Sequence, residues 1–184
     1  MTLRTNQNSL NILDIRLQTD RLILVPVSDE YINEIFTEFS HEITLYMHPR
    51  AAQHIGETQE FITSTEDRMR AGKELVCVFL LKDTNEFLGC AGLHDINTTH
   101  PELGVWVKKS AHGHKYGREA VTALKQWGDE HVDYEYITYP VARDNPSSRK
   151  IAESLGGVIA KESEHTTMAG FTWPYVEYHI AKKL

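Results

Sequence analysis

Cysteine is scarce. The 184-residue chain carries two, Cys77 and Cys90, each inside an apolar run (LVCVFLL and FLGCAGL). That excludes a disulfide framework, and no Cys-x-x-Cys or Cys/His spacing marks a zinc site, so no metal is expected. Both thiols read as reduced core residues, which points to a cytoplasmic protein. Long apolar runs are missing: none approaches the roughly 18–20 residues of a membrane helix. The N-terminus lacks the charged-then-apolar order of a signal peptide, and no membrane partner is expected. Basic charge is in deficit. Lys and Arg number 19 against 26 Asp and Glu, a net charge of −7, and no recognition motif is present, so no nucleic-acid partner is expected. An acidic balance favours cationic partners such as amines.

What is present is ordinary for a globular chain: 41% hydrophobic and 24% charged residues. The length suits one domain with a core large enough to need no staples. The ten histidines are scattered and read as surface or satisfied core residues. Residues 1–16 are polar and without sustained periodicity, and are expected to form a flexible lead-in. Residues 17–184 then make a single domain, with no repeat, low-complexity tract or linker.

Strands are predicted over Arg21–Val27, Leu75–Leu81, Phe87–Leu93, Leu103–Val107, Tyr136–Val141, Val158–Glu162 and Thr172–Ile180. Asp83-Thr-Asn85 supplies turn residues between two of them. Helices are predicted from Ser28 or Asp29 to Phe39, over Glu57–Arg70, near 116–131 with a stripe of Tyr116, Ala120, Val121, Leu124 and Trp127, and over Pro146–Leu155. The fold class is α/β (α+β) with a mixed sheet.

Two segments carry chemistry. Leu103-Gly-Val-Trp-Val-Lys-Lys-Ser-Ala-His-Gly-His-Lys-Tyr-Gly-Arg-Glu-Ala120 reads as strand, glycine-containing loop and amphipathic helix. A loop entering a helix points several N–H groups at one spot, and the helix dipole adds positive potential there, an arrangement that cradles a diphosphate. Lys115 and Arg118 add charge-assisted contacts. An ordinary strand-to-helix connection with solvated basic residues accounts for the same pattern. The spacing fits neither a Walker loop nor a dinucleotide fingerprint. The second segment, Asp144-Asn-Pro-Ser-Ser148, starts a helix with Asn145 at the cap and Pro146 at the first helical position, directly after a strand. Capping alone explains it, but ligands gather outside the carboxyl ends of strands in open α/β sheets.

Together these segments resemble the GNAT superfamily of N-acetyltransferases, and within it the ribosomal-protein N-terminal acetyltransferase branch, the RimL/RimJ-like enzymes. The resemblance runs from about Leu17 to Leu184. Leu17-Gln-Thr-Asp-Arg-Leu-Ile-Leu looks like the opening strand, Leu88-Gly-Cys-Ala-Gly-Leu-His-Asp-Ile like the central hairpin strand, and Glu102-Leu-Gly-Val-Trp-Val like the strand before the pyrophosphate loop. Asp144–Ser148, with Ser154-Leu-Gly156 after it, looks like the helix beside the pantetheine arm. The resemblance implies a mostly antiparallel sheet of six to seven strands flanked by about four helices, and acetyl transfer from acetyl-CoA to a primary amine. The N-terminal amine of a protein, such as a ribosomal protein, is the first acceptor. A polyamine or an aminoglycoside-like amine is the alternative, and a non-catalytic acyl-CoA-binding module is a third reading. The branch's habit implies a homodimer.

The family's Gln/Arg-x-x-Gly-x-Gly/Ala motif falls on His112-Gly113-His114-Lys115-Tyr116-Gly117, followed by Arg118. His112 replaces the first residue and Lys115 the central glycine, where the backbone normally approaches the diphosphate. By resemblance, backbone groups of Val105, Trp106 and Val107 pair with the pantetheine amides, Asn145 bonds the same arm, and Ser148 approaches the thiol. The tyrosine that many members use as general acid is Ala152 here, so Ser148 or a water takes that role. Glu102 is the first candidate base, Glu164 and His165 the second, and His94 a third. Trp106, Tyr46, Phe171, Trp173 and Tyr175 are candidates to line the acceptor pocket.

Overall fold

The computed structural model describes residues 11–183. One eight-stranded sheet runs through it in the order β1-β2-β3-β4-β5-β6-β8-β7. Its strands are β1 (Leu17–Gln18), β2 (Leu22–Pro26), β3 (Leu75–Leu81), β4 (Phe87–His94), β5 (Glu102–Val107), β6 (Tyr136–Ala142), β7 (Val158–Thr166) and β8 (Thr172–Ala181). Every adjacent pair is antiparallel except β5 and β6, which are parallel. The helices are α1 (Ile32–Glu38), α2 (His41–Thr44), α3 (Ile55–Arg70), α4 (Tyr116–His131) and α5 (Pro146–Ser154).

The unbroken apolar runs of β3 and β4 are explained by cover on both faces. Leu93 of β4 packs under α4, where a Cβ on Gly128 would lie 2.9 Å from its Cδ2. On the opposite face Trp106 of β5 packs against Phe39, just past α1, with ring centroids 5.0 Å apart. Leu22, Leu24, Ile62, Phe79, Leu124 and Tyr178 are among the most buried side chains and knit the two layers together. Thr84 and Asn85 close the β3–β4 hairpin, Asn85 at φ 57°, as its short side chain allows.

Three expectations need correction. Among the described residues the sheet has eight strands, not six or seven, because Leu17–Gln18 pairs with β2. The lead-in does not extend to residue 16: Ile12 and Ile15 are buried, and Asn11 caps a 3-10 turn over Ile12–Asp14. The rest of that expected segment, residues 1–10, lies outside the described residues. The four-residue helix α2 and the last four residues of β7 were not predicted. Among the described residues, no helix is long and apolar enough to cross a membrane.

Candidate active site

β5 pairs with β4 from Glu102 to Val107 but meets β6 at one position, Glu102↔Thr138. The Thr138 N–H donates to the Pro101 carbonyl at 2.8 Å; past this point the two strands no longer pair. In an antiparallel ladder alternate residues direct their N–H and C=O to opposite neighbours. Lys108 donates its N–H to the Leu88 carbonyl at 2.8 Å, so the even-numbered residues of β5 serve β4. Leu103, Val105 and Val107 therefore turn their peptide groups to the gap. Trp106, expected to do the same, does not: its backbone belongs to the β4 ladder and its ring to the Phe39 and Phe87 cluster. His112 closes one of the open groups, donating from Nε2 to the Val107 carbonyl at 2.8 Å. The N–H and C=O of Val105 and the N–H of Val107 remain along the gap, an edge that an extended amide chain can join as an added strand.

The loop after β5 delivers the chain to α4. Lys115 stands immediately before the helix at φ 63°, ψ 18°, in the left-handed region, so the residue at the family's glycine position holds a glycine-like backbone. Among the described residues no side chain caps the helix, which leaves its first N–H groups for a ligand or water. Gly117 is required by packing: a Cβ there would come within 2.9 Å of Val107 Cγ2 and 3.6 Å of Ile151 Cδ1. His114 donates from Nδ1 to the His112 carbonyl at 2.9 Å and stacks on Tyr116. Glu119 anchors the first turn to the β1–β2 turn, accepting from Thr19 Oγ1 at 2.5 Å, from the Arg21 N–H at 3.0 Å and from its guanidinium at 2.6 Å. Lys115 and Arg118 line the groove beside that turn. An uncapped helix start with two cations, next to an open strand edge, fits a diphosphate followed by an amide-bearing arm.

Alternation puts Glu102, Gly104 and Trp106 on the sheet face of α1 and α3. Solvent reaches Glu102, yet the protein packed around it raises its carboxyl above the usual range. Asp95 and Glu177 add to the rise, and His94, its cross-strand neighbour, opposes it. His94 donates from Nδ1 to Glu74 Oε2 at 2.9 Å, and Arg68 Nε bonds the same oxygen at 3.0 Å. Glu74 is 3% exposed. Burial alone would raise its carboxyl; the bonds to His94 and Arg68 outweigh it and hold it below the usual range. With Nδ1 committed to Glu74, His94 turns Nε2 to this face, 3.9 Å from where a side chain on Gly104 would begin.

The opposite face carries α5. Asn145 Oδ1 accepts the Ser148 N–H at 3.1 Å, capping the helix as anticipated. Ser148 Oγ lies 2.9 Å from the hydroxyl of Tyr139 on β6. Ala152 is fully buried.

Glu164 and His165 are separated by the pleat of β7. Glu164 is exposed on one side; His165 packs on Tyr175 at 4.9 Å and meets His48 Nδ1 through Nε2 at 2.8 Å. Tyr175 donates to the Tyr46 carbonyl at 2.6 Å, Trp173 Nε1 to the Leu45 carbonyl at 3.0 Å, and the Met168 N–H to the His48 carbonyl at 2.8 Å. The β7–β8 hairpin and residues 45–48 thus form one wall. Burial raises the Tyr175 phenol, with the charge of Glu102 as a second cause, so this wall borders the Glu102 face. Arg68, Glu74 and Tyr139 escaped the sequence reading. Glu74 is a lone acid before an apolar run, and Tyr139 reads as core. Only the pairing of Tyr139 with a hydroxyl on the next helix marks it out.

A family model described as the acetyltransferase (GNAT) domain matches residues 21–158, more than half of the chain. YoaA of Bacillus subtilis (strain 168), an uncharacterized N-acetyltransferase, is 24% identical over 143 residues, 76% of this chain and 81% of that protein. Among solved structures, the ribosomal-protein-S5-alanine acetyltransferase of Vibrio fischeri superimposes with a TM-score of 0.79 at 13% identity, covering 92% of this chain and 98% of that one. Spermidine N-acetyltransferase of Vibrio cholerae, in complex with CoA and spermine, gives 0.78 at 15% identity, covering 89% and 97%.

Proposed function

The chain belongs to the GNAT acetyltransferase family, and we propose that this acetyl-CoA-dependent enzyme acetylates the N-terminal amine of a protein, such as a ribosomal protein. The acceptor side carries the choice. Glu102 is open to solvent, and at the tip of the neighbouring hairpin Met168 and Phe171 are 60% and 41% exposed. An open shelf with apolar side chains along it suits an extended peptide better than a closed small-molecule cavity. The ribosomal-protein enzyme of similar fold supports the same choice. A polyamine is the second reading, favoured by Asp95 and Glu177 near Glu102 and by the spermidine enzyme of similar fold. Lys115 does not favour the non-catalytic module, because it holds a left-handed backbone at φ 63° directly before the open helix start.

When bound, acetyl-CoA supplies the activated acyl carbon. Lys115, Arg118 and the first N–H groups of α4 would hold its diphosphate. The peptide groups of Val105 and Val107 would pair with its pantetheine arm, and one of those N–H groups would bond the acyl oxygen. Glu102 would receive the acceptor's ammonium and take its proton, with His94 beside it. Ser148, on the other face of the sheet, would hydrogen-bond the departing sulfur. Base and leaving-group partner thus flank the gap from opposite faces.

The test measures CoA release with a panel of peptides carrying free N-termini, the same peptides N-formylated, polyamines and aminoglycosides. The expected result is turnover with free-amine peptides and none with formylated ones. Turnover with polyamines alone overturns the peptide assignment in favour of the second reading.

A further inference from the structure

We infer that Tyr139 is a positioning residue that aims the Ser148 hydroxyl into the gap between β5 and β6, toward the departing sulfur. This rests on the role proposed above for Ser148. Tyr139 is 2% exposed, and among the described residues its hydroxyl has one hydrogen-bond partner, Ser148 Oγ at 2.9 Å. A buried phenol must place its hydrogen on an acceptor, since an unmade buried bond carries the full desolvation penalty. If Ser148 donated to Tyr139, the phenolic hydrogen would point into packed core. The bond therefore runs from Tyr139 to Ser148.

Ser148 carries one hydrogen and two lone pairs. With a lone pair occupied by Tyr139, its own hydrogen is left to point outward, and Ser148 is only partly buried. Its backbone is held by the Asn145 cap, so the hydroxyl has both a fixed origin and a fixed direction. Burial pushes the Tyr139 phenol up to about 12, so it keeps its proton throughout the working range. As the C–N bond forms and the C–S bond breaks, the electron pair of the broken bond stays on sulfur. The Ser148 hydrogen bond stabilises that charge, the amine's proton leaves through Glu102 to water, and the thiolate takes its final proton from solvent. Neither hydroxyl is consumed.

The test is a double-mutant cycle with Tyr139→Phe and Ser148→Ala, reading kcat and the KM for acetyl-CoA. Tyr139→Phe is expected to lower kcat about tenfold, the worth of one well-placed hydrogen bond, with KM for acetyl-CoA within about twofold. In the Ser148→Ala background it should cost nothing further. 3-Fluorotyrosine at position 139 keeps the hydroxyl and should restore kcat, which guards against loss of fold in the phenylalanine variant. Equal losses from Tyr139→Phe in both backgrounds, or a kcat within twofold of wild type, overturn the inference and leave the Ser148 reading standing. An unchanged kcat in Ser148→Ala overturns the Ser148 reading, and this inference with it.

Discussion

Lys115 sits in a left-handed conformation that costs a residue with a side chain about 1–2 kcal/mol. Lys115→Gly should stabilise the protein by about 1 kcal/mol, offset in part by the freer unfolded chain. The same change removes an ammonium from the groove shared with Arg118, so acetyl-CoA binding should weaken and lose part of its salt dependence. Melting and calorimetry on one variant read the two effects separately. Tighter binding in Lys115→Gly would mean that the side chain obstructs the diphosphate. At Glu102, substitution by Gln should lower kcat by about 10²–10⁴, the usual worth of a general base, with acetyl-CoA affinity nearly unchanged. The carboxyl must be ionised to act, and its pKa is raised. Wild-type activity should therefore climb with pH through that shifted value, and Glu102→Gln should lose that limb and recover at high pH as free amine becomes abundant. A variant within threefold of wild type from pH 6 to 9 would move the role to His94, whose Nε2 lies on the same face.

Between elements, the buried Glu74 ties α3, through Arg68, to β4, through His94. Its carboxyl is lowered, so its contribution is present above the unfolded glutamate value of about 4.3 and is lost as pH falls through the lower folded value. Glu74→Gln should cost about 1–2 kcal/mol at neutral pH, discounted because Arg68 is partly exposed. The gap to wild type should close in acid. Urea unfolding at pH 7 and pH 3 measures it, and an equal loss at both would reduce Glu74 to a packing role. Helix α4 spans the predicted 116–131 because its apolar stripe and the preceding glycine loop are local signals. The end of β7 past Glu162 carries no mark in the sequence, because the strand's residues are almost all exposed and no alternation is needed there. The direction of Trp106's peptide groups was hidden for another reason. Period-two alternation tells which face a side chain takes, but which edge the backbone serves depends on the partner's register. The Arg68–Glu74–His94 and Tyr139–Ser148 contacts join elements distant in sequence or read as plain core, and no spacing rule reaches them.

Across the whole molecule, strands β1–β5 and β6–β8 form two ladders joined by a single parallel bridge at Glu102 and Thr138. A ligand seated between them should stabilise the native state by about 2.7 kcal/mol at a hundredfold excess over its Kd, read as a rise in melting temperature with acetyl-CoA and a smaller one with the truncated donor N-acetylcysteamine thioester. The alternating backbone of β5 has a consequence for solvent exchange. Gly104 and Trp106 donate to β4, while Val105 and Val107 face the gap, so in deuterated buffer the amides should alternate slow and fast along one strand. Acetyl-CoA should slow the odd-numbered amides selectively and leave their even-numbered neighbours as they were. A free protein whose Val105 and Val107 exchange as slowly as Gly104 would mean that the two ladders close on each other in solution, and any arm entering between them would first have to part them.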